Sequence, residues 1–122
     1  MQVVIVEPKK KPIVQSIDDG LEAMQKIVGG TIQAIYPFEE PIALICNDES
    51  KFLNLPLNRA LRDSAGCVYD IVAGTFFLCA APVDKDNFAS LAEEQVQTCL
   101  KRFAVPEQFV KVGDAVFVLP AL

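Results

Sequence analysis

The chain contains no histidine. That removes Ser-His and Cys-His nucleophile pairs, and with them most hydrolytic chemistry run by an activated hydroxyl or thiol. It also removes the commonest transition-metal ligand. The cysteines, Cys46, Cys67, Cys79 and Cys99, include no CxxC pair, so an ordinary zinc knuckle is absent as well. Their positions in or beside apolar stretches read as free thiols in a reducing compartment. Asp84 and Asp86 have neither the glycine nor the distal glutamate of a calcium loop. No metal or cofactor is expected.

Long apolar runs are missing too. No stretch approaches the roughly 18 residues of a membrane span, and the start, MQVVIVEP, has no basic leader. These features point to a cytoplasmic protein. Basic residues are scarce: the formal net charge is −5 and the pI about 4.6. General nucleic-acid binding, which runs on clustered Lys and Arg, is therefore not expected. The longest basic run, Lys9–Lys11, reads as a solvated turn.

What is present is a globular composition in 122 residues, enough for one domain, 1–122. Gln2–Val6 is a β-branched run that predicts a buried strand, and Ile13–Ile17 an antiparallel second strand. Asp19 and Glu22 resemble a capping box ahead of a helix carrying Leu21, Met24, Ile27 and Val28, which Gly29-Gly30 stops. Residues 17–31 would suit a right-handed crossover between parallel strands. Thr31–Tyr36 predicts a third strand. Ile42–Cys46 is apolar at every position and predicts a central strand covered on both faces.

Val68–Ala80 predicts one strand or two, interrupted at Gly74. Ser90-Leu91-Ala92-Glu93 has the pattern of a capping box for a helix over 91–103, with Val96, Leu100 and Phe103 toward the sheet. Pro106–Val110 reads as one more helical turn, and Ala115–Leu119 as a last strand. The fold class is α+β: a mixed or mostly antiparallel sheet of about five or six strands with two principal helices.

Between the polar and apolar halves lies NRALRDSAGCVYD. Asn58 would cap a short helical turn through Leu61, on which Arg59 and Arg62, three apart, face the same way. Paired guanidinium forks suit a phosphate or carboxylate. The candidate binding residues are Asn58, Arg59, Arg62, Asp63, Tyr69 and Asp70. The competing structural reading pairs each arginine with Asp63 or Asp70, pinning a loop. Under the binding reading, replacing both arginines leaves the fold intact. No catalytic residue is assigned. A small enzyme using arginines and carboxylates, or an acidic nucleic-acid mimic or inhibitor, are the alternatives.

The segments IVGGTIQAIYPF, LPLNRALRD and YDIVAGTFF, with the later SLAEEQVQTCLKRFAVPEQF, resemble an uncharacterised bacterial family, a domain of unknown function. The resemblance implies a protein carried by Firmicutes, their phages and integrative or conjugative elements. It also implies an accessory role. The residues themselves, and not the resemblance, suggest an unidentified protein partner or small anionic ligand near Asn58–Asp70. The resemblance brings no catalytic residues.

Overall fold

A computed structural model describes residues 1–121. Nine strands and two helices follow in the order β1 (Gln2–Val6), β2 (Ile13–Ser16), α1 (Leu21–Val28), β3 (Ile32–Ile35), β4 (Ile42–Asn47), β5 (Leu57–Arg62), β6 (Val68–Ala73), β7 (Phe76–Ala80), α2 (Glu93–Arg102), β8 (Glu107–Val112) and β9 (Ala115–Pro120). The main sheet has five strands in the order β2-β1-β7-β4-β3, and β5-β6 and β8-β9 form two small sheets. The fold is α+β. No helix among the described residues is long and apolar enough to cross a membrane.

Every pairing in the main sheet is antiparallel. The expected crossover between parallel neighbours is therefore not present. Helix α1 instead links β2 and β3 at opposite edges. Four antiparallel junctions separate those edges, so the two strands run the same way without touching.

The central strands show why the sheet reads as continuously apolar. All residues of β4 and β7 are buried. Side chains alternate across a strand, and each face has its own cover. Val3, Ile5, Ala43, Ile45, Phe77 and Cys79 pack with Met24 and Val28 of α1. Val4, Val6, Ile42, Leu44, Phe76 and Leu78 pack with Leu61 and Val72 of the β5–β6 sheet and with Val96, Cys99 and Phe103 at α2. Each large apolar side chain fully buried in these layers stabilises the fold by about 1.5–3 kcal/mol before entropy is counted.

The helix ends differ from the expected boxes. Gly20, not Asp19, is the N-cap of α1, without a side-chain bond. Asp19 lies 3.3 Å from the Met1 ammonium instead. Ala92 is the N-cap of α2. It has no side-chain acceptor, so only half a box forms: Gln95 Oε1 accepts from the Ala92 N–H at 2.9 Å. Ser90 Oγ is used elsewhere, accepting from the Gln2 N–H at 2.9 Å and tying the helix approach to β1. The glycine pair does stop α1. Gly29 takes a left-handed φ of 78°, and a Cβ at Gly30 would meet Asn47 Nδ2 at 2.9 Å.

Gly74 is the joint between the small and main sheets. Its φ is +77°, and a Cβ there would meet Leu55 at 2.8 Å. Its N–H donates to Pro56 O at 2.7 Å. Val68–Ala80 is therefore two strands, as the glycine implies, and they belong to different sheets. Residues 106–110 correct the reading above: they are not helical. Glu107–Val112 is β8, paired along its length with β9.

Candidate functional site

The segment 58–61 is extended. Leu57–Arg62 forms β5 and pairs with β6, which overturns the helical turn expected there. Alternation then separates the two arginines. Arg59 is 1% exposed, whereas the Arg62 side chain is 39% exposed. A register shift also falls between Leu61 and Arg62.

Asn58 and Arg59 form a buried polar staple. Asn58 Nδ2 donates to Val6 O at 2.9 Å and Gly74 O at 2.8 Å. Its Oδ1 accepts from Arg59 Nη1 at 2.9 Å. Arg59 Nη2 donates to Lys10 O at 2.6 Å and Phe103 O at 3.2 Å, and Nη1 also reaches Asn58 O at 3.2 Å. Neither Asp63 nor Asp70 is its partner. Burial pushes the Arg59 guanidinium below its ordinary pKa, and Glu107 works in the opposite sense. Arginine's ordinary pKa is so high that the group stays charged. Carbonyl dipoles of Lys10, Asn58 and Phe103, with the Asn58 amide oxygen, replace its water.

Arg62 is the more exposed of the two, although both arginines line one small hollow with Glu107. Its Nη2 lies 2.7 Å from Glu107 Oε2, and Glu107 Oε1 accepts from the Ala60 N–H at 2.9 Å. Glu107 thus holds one corner of the guanidinium and leaves the rest at the mouth of a cleft of about 720 Å³. The cleft lies between residues 37–40, the β5–β6 turn and the last turn of α2. Arg62, Lys101 and Arg102 bring positive charge to it, and Glu39 and Glu40 bring negative charge.

The basic wall is fixed by more than charge. The Arg102 guanidinium lies 5.7 Å from the Phe38 ring centroid and donates to Arg62 O at 2.9 Å. Phe38 meets Phe103 edge-on at 6.2 Å. A cation held over an aromatic face and bonded to the backbone loses less freedom on binding than a free side chain does. Among the described residues, Lys101 has no ion-pair partner within the salt-bridge distance.

The other candidates divide between the site and the scaffold. Tyr69 is 57% exposed and lines the same cleft with Asp63. Asp63 Oδ1 accepts from the Ala65 and Cys67 N–H groups, both at 2.9 Å, so this carboxylate shapes the turn. Asp70 faces a separate hollow beside Cys46 and Phe52, paired with Lys51 Nζ at 2.9 Å. The structure therefore brings Arg62, Asp63 and Tyr69 together, and places Asn58, Arg59 and Asp70 elsewhere.

Phe38, Lys101, Arg102 and Glu107 escaped the sequence reading. Lys101 and Arg102 close a helix, where the dipole alone accounts for cations. Glu107 lies 45 residues from its partner, and no local pattern could have paired them.

A family model described as Domain of unknown function (DUF3846) matches residues 1–104. The chain belongs to that family. The match takes in the main sheet, both helices, the β5–β6 sheet and every cleft residue named above. The β8–β9 hairpin, which supplies Glu107, lies beyond it. No curated protein and no solved structure matches the chain.

Proposed function

We propose that this member of the DUF3846 family is a non-enzymatic binding module whose cleft takes a small anionic group, a carboxylate or a phosphate. The observation that carries the reading is the Arg62 guanidinium, held at one corner by Glu107 and open at the other, beside Lys101 and Arg102. Two preset forks and the Lys101 ammonium suit one compact anion through charge-assisted bonds. Glu39 and Glu40, which line the same cleft, repel a polyanion, which favours a single localised charge. The rim position of Tyr69 offers an aromatic face to the body of the ligand or partner.

An accessory role in a phage or mobile element fits the resemblance of the three motif segments to proteins carried there. A reducing, cytoplasmic setting is supported by free Cys46, Cys79 and Cys99, all buried. The enzyme alternative gains less. The hollow that both Arg59 and Arg62 line contains Glu107, which is already ion-paired.

The reading is tested by amide-resolved NMR titration with inorganic phosphate and, separately, with a peptide ending in glutamate. Saturable shifts centred on residues 38, 62, 69, 101 and 102 are expected with one probe or both. The phosphate arm identifies a free anion, and the peptide arm a partner's carboxylate. Shifts that stay linear in both titrations, or that map away from the cleft, contradict it.

A further inference from the structure

We propose that β2 is a self-association edge, pairing antiparallel with β2 of a second copy to join two five-stranded sheets into one. The strand lies at the end of the sheet and bonds to β1 on one side only. All four of its residues are exposed, with Ile13 at 49% and Val14 at 45%. Sheet edges of soluble proteins are usually guarded by charge, a bulge or a covering element. Ile13–Ser16 carries no charge, its pairing with β1 is free of bulges, and no described element pairs with its outer side.

The backbone fixes which residues face outward. The Ile17 N–H donates to Met1 O at 2.8 Å, and the Met1 amine donates back to Ile17 O. Met1 and Ile17 are thus a hydrogen-bonded pair, and the register runs from Gln2↔Ser16 to Ile5↔Ile13. Hydrogen-bonded and non-bonded pairs alternate along an antiparallel ladder. Ile13, Gln15 and Ile17 therefore bond to β1, while Val14 and Ser16 direct their N–H and C=O groups outward.

A twofold axis at Gln15 satisfies those outward groups. It sets Val14 against the partner's Ser16, and Ser16 against the partner's Val14, with an N–H and a C=O exchanged each time. Pro12, which has no N–H to offer, falls at the end of the ladder, where a proline is tolerated.

The charges on either side of the strand argue for a second copy rather than an unrelated strand. Lys9, Lys10 and Lys11 precede β2, and Asp18 and Asp19 follow it. Antiparallel pairing about Gln15 brings Lys11 toward the partner's exposed Asp18 and Asp19, which follow the strand in a bend where Asp19 also meets its own Met1 ammonium at 3.3 Å, and the symmetry makes the contact twice. Parallel pairing would set lysines beside lysines. On the α1 face, Ile13 comes opposite the partner's Ile17. The hollow beside this edge is also lined by Glu22 and Lys26 of α1, a further pair of opposite charges. A strand-edge contact of this size belongs to the weak class of interfaces.

Sedimentation velocity up to about 100 μM, a range suited to a small interface, tests the proposal. Wild type is expected to show a concentration-dependent dimer. Ser16→Pro removes an outward N–H and none of the β1 bonds, so it should be monomeric with unchanged far-UV circular dichroism. Lys11→Glu and Asp18→Lys should each weaken the dimer, the second leaving the Met1–Asp19 pair in place, and an equimolar mixture of the two should restore it as a heterodimer. A wild type that stays monomeric throughout overturns the proposal. So does a folded Ser16→Pro that dimerises like wild type, or a mixture no more associated than its components.

Discussion

Arg59 Nη2 lies 2.6 Å from the carbonyl oxygen of Lys10, across 49 residues of chain. Through this contact the loop after β1 is fastened to the start of β5. The same guanidinium reaches Phe103 O at the end of α2. Arg59 is a cross-tie of the fold, and replacing it removes the bonding partners of several carbonyls at once. Arg59→Ala is expected to cost at least about 3 kcal/mol, from the cavity and the orphaned acceptors together. Arg59→Lys should recover only part of that, because an ammonium lacks the fork. Urea unfolding checks both. A loss under about 0.5 kcal/mol for the alanine variant, the level of an ordinary surface change, would contradict the cross-tie. The sequence-based expectation that both arginines are dispensable for folding is thereby revised for Arg59.

Phe103 is the apolar counterpart of that tie. Its ring meets Phe76 at 5.3 Å and Phe38 at 6.2 Å. Phe103→Ala should cost about 3–5 kcal/mol, as truncation of a buried aromatic does. Leu100 is only half-buried, so Leu100→Ala should fall at or below the lower end of the roughly 2–5 kcal/mol range for buried leucines. Equal losses in denaturant melts would mean that the helix presents a different face to the sheet.

The way the fold was legible explains the way the site was not. Val3–Val6 and Ile42–Cys46 are apolar because both sheet faces are covered, and the run in the sequence carries that directly. Gly74 marked a joint because its conformation excludes a side chain. The segment 58–62 failed for the opposite reason. Asn58 and the two arginines look polar, hence like a turn, but Asn58 and Arg59 are buried with their bonds satisfied by distant carbonyls. Tertiary hydrogen bonding overrode local pattern, and only Arg62, past the register shift, kept the exposure that its residue type suggests. Glu107 was hidden because Pro106–Val110 reads as a helical turn until its pairing with β9 is known.

The thiols make a pH prediction. Burial pushes Cys79 and Cys99 up to about 12 from 9.0, and burial followed by Asp70 raises Cys46. Cys67 is exposed. In the native protein a thiol reagent should label Cys67 quickly and the other three only on unfolding. An acid whose pKa is raised by folding keeps its proton in the native state while the unfolded chain loses it. The stabilising effect is therefore constant below pH 9.0 and declines as pH rises from there toward about 12. Melting temperatures that hold steady through that alkaline window, or rapid native labelling of a second cysteine, would contradict this burial.

Glu107 should matter twice, since it accepts from the Ala60 N–H and holds Arg62. Glu107→Gln can keep one amide oxygen for Ala60 but gives up the charge opposite Arg62. A stability loss of about 1–3 kcal/mol is expected for disturbing this partly buried pair, read by thermal or urea melts. Arg62 should also become freer, lowering anion affinity. A variant with unchanged stability and unchanged titration would separate Glu107 from the site.

The central claim is that Arg62 serves the cleft while Arg59 serves the fold. The most direct measurement is the phosphate and peptide titration repeated on Arg62→Ala, with its melting temperature measured alongside. The expected result is a variant that stays folded, with a melting temperature several degrees lower because Glu107 loses its partner, together with loss of the saturable shifts at residues 38, 69, 101 and 102. A folded Arg62→Ala that binds either probe as tightly as wild type would contradict the claim.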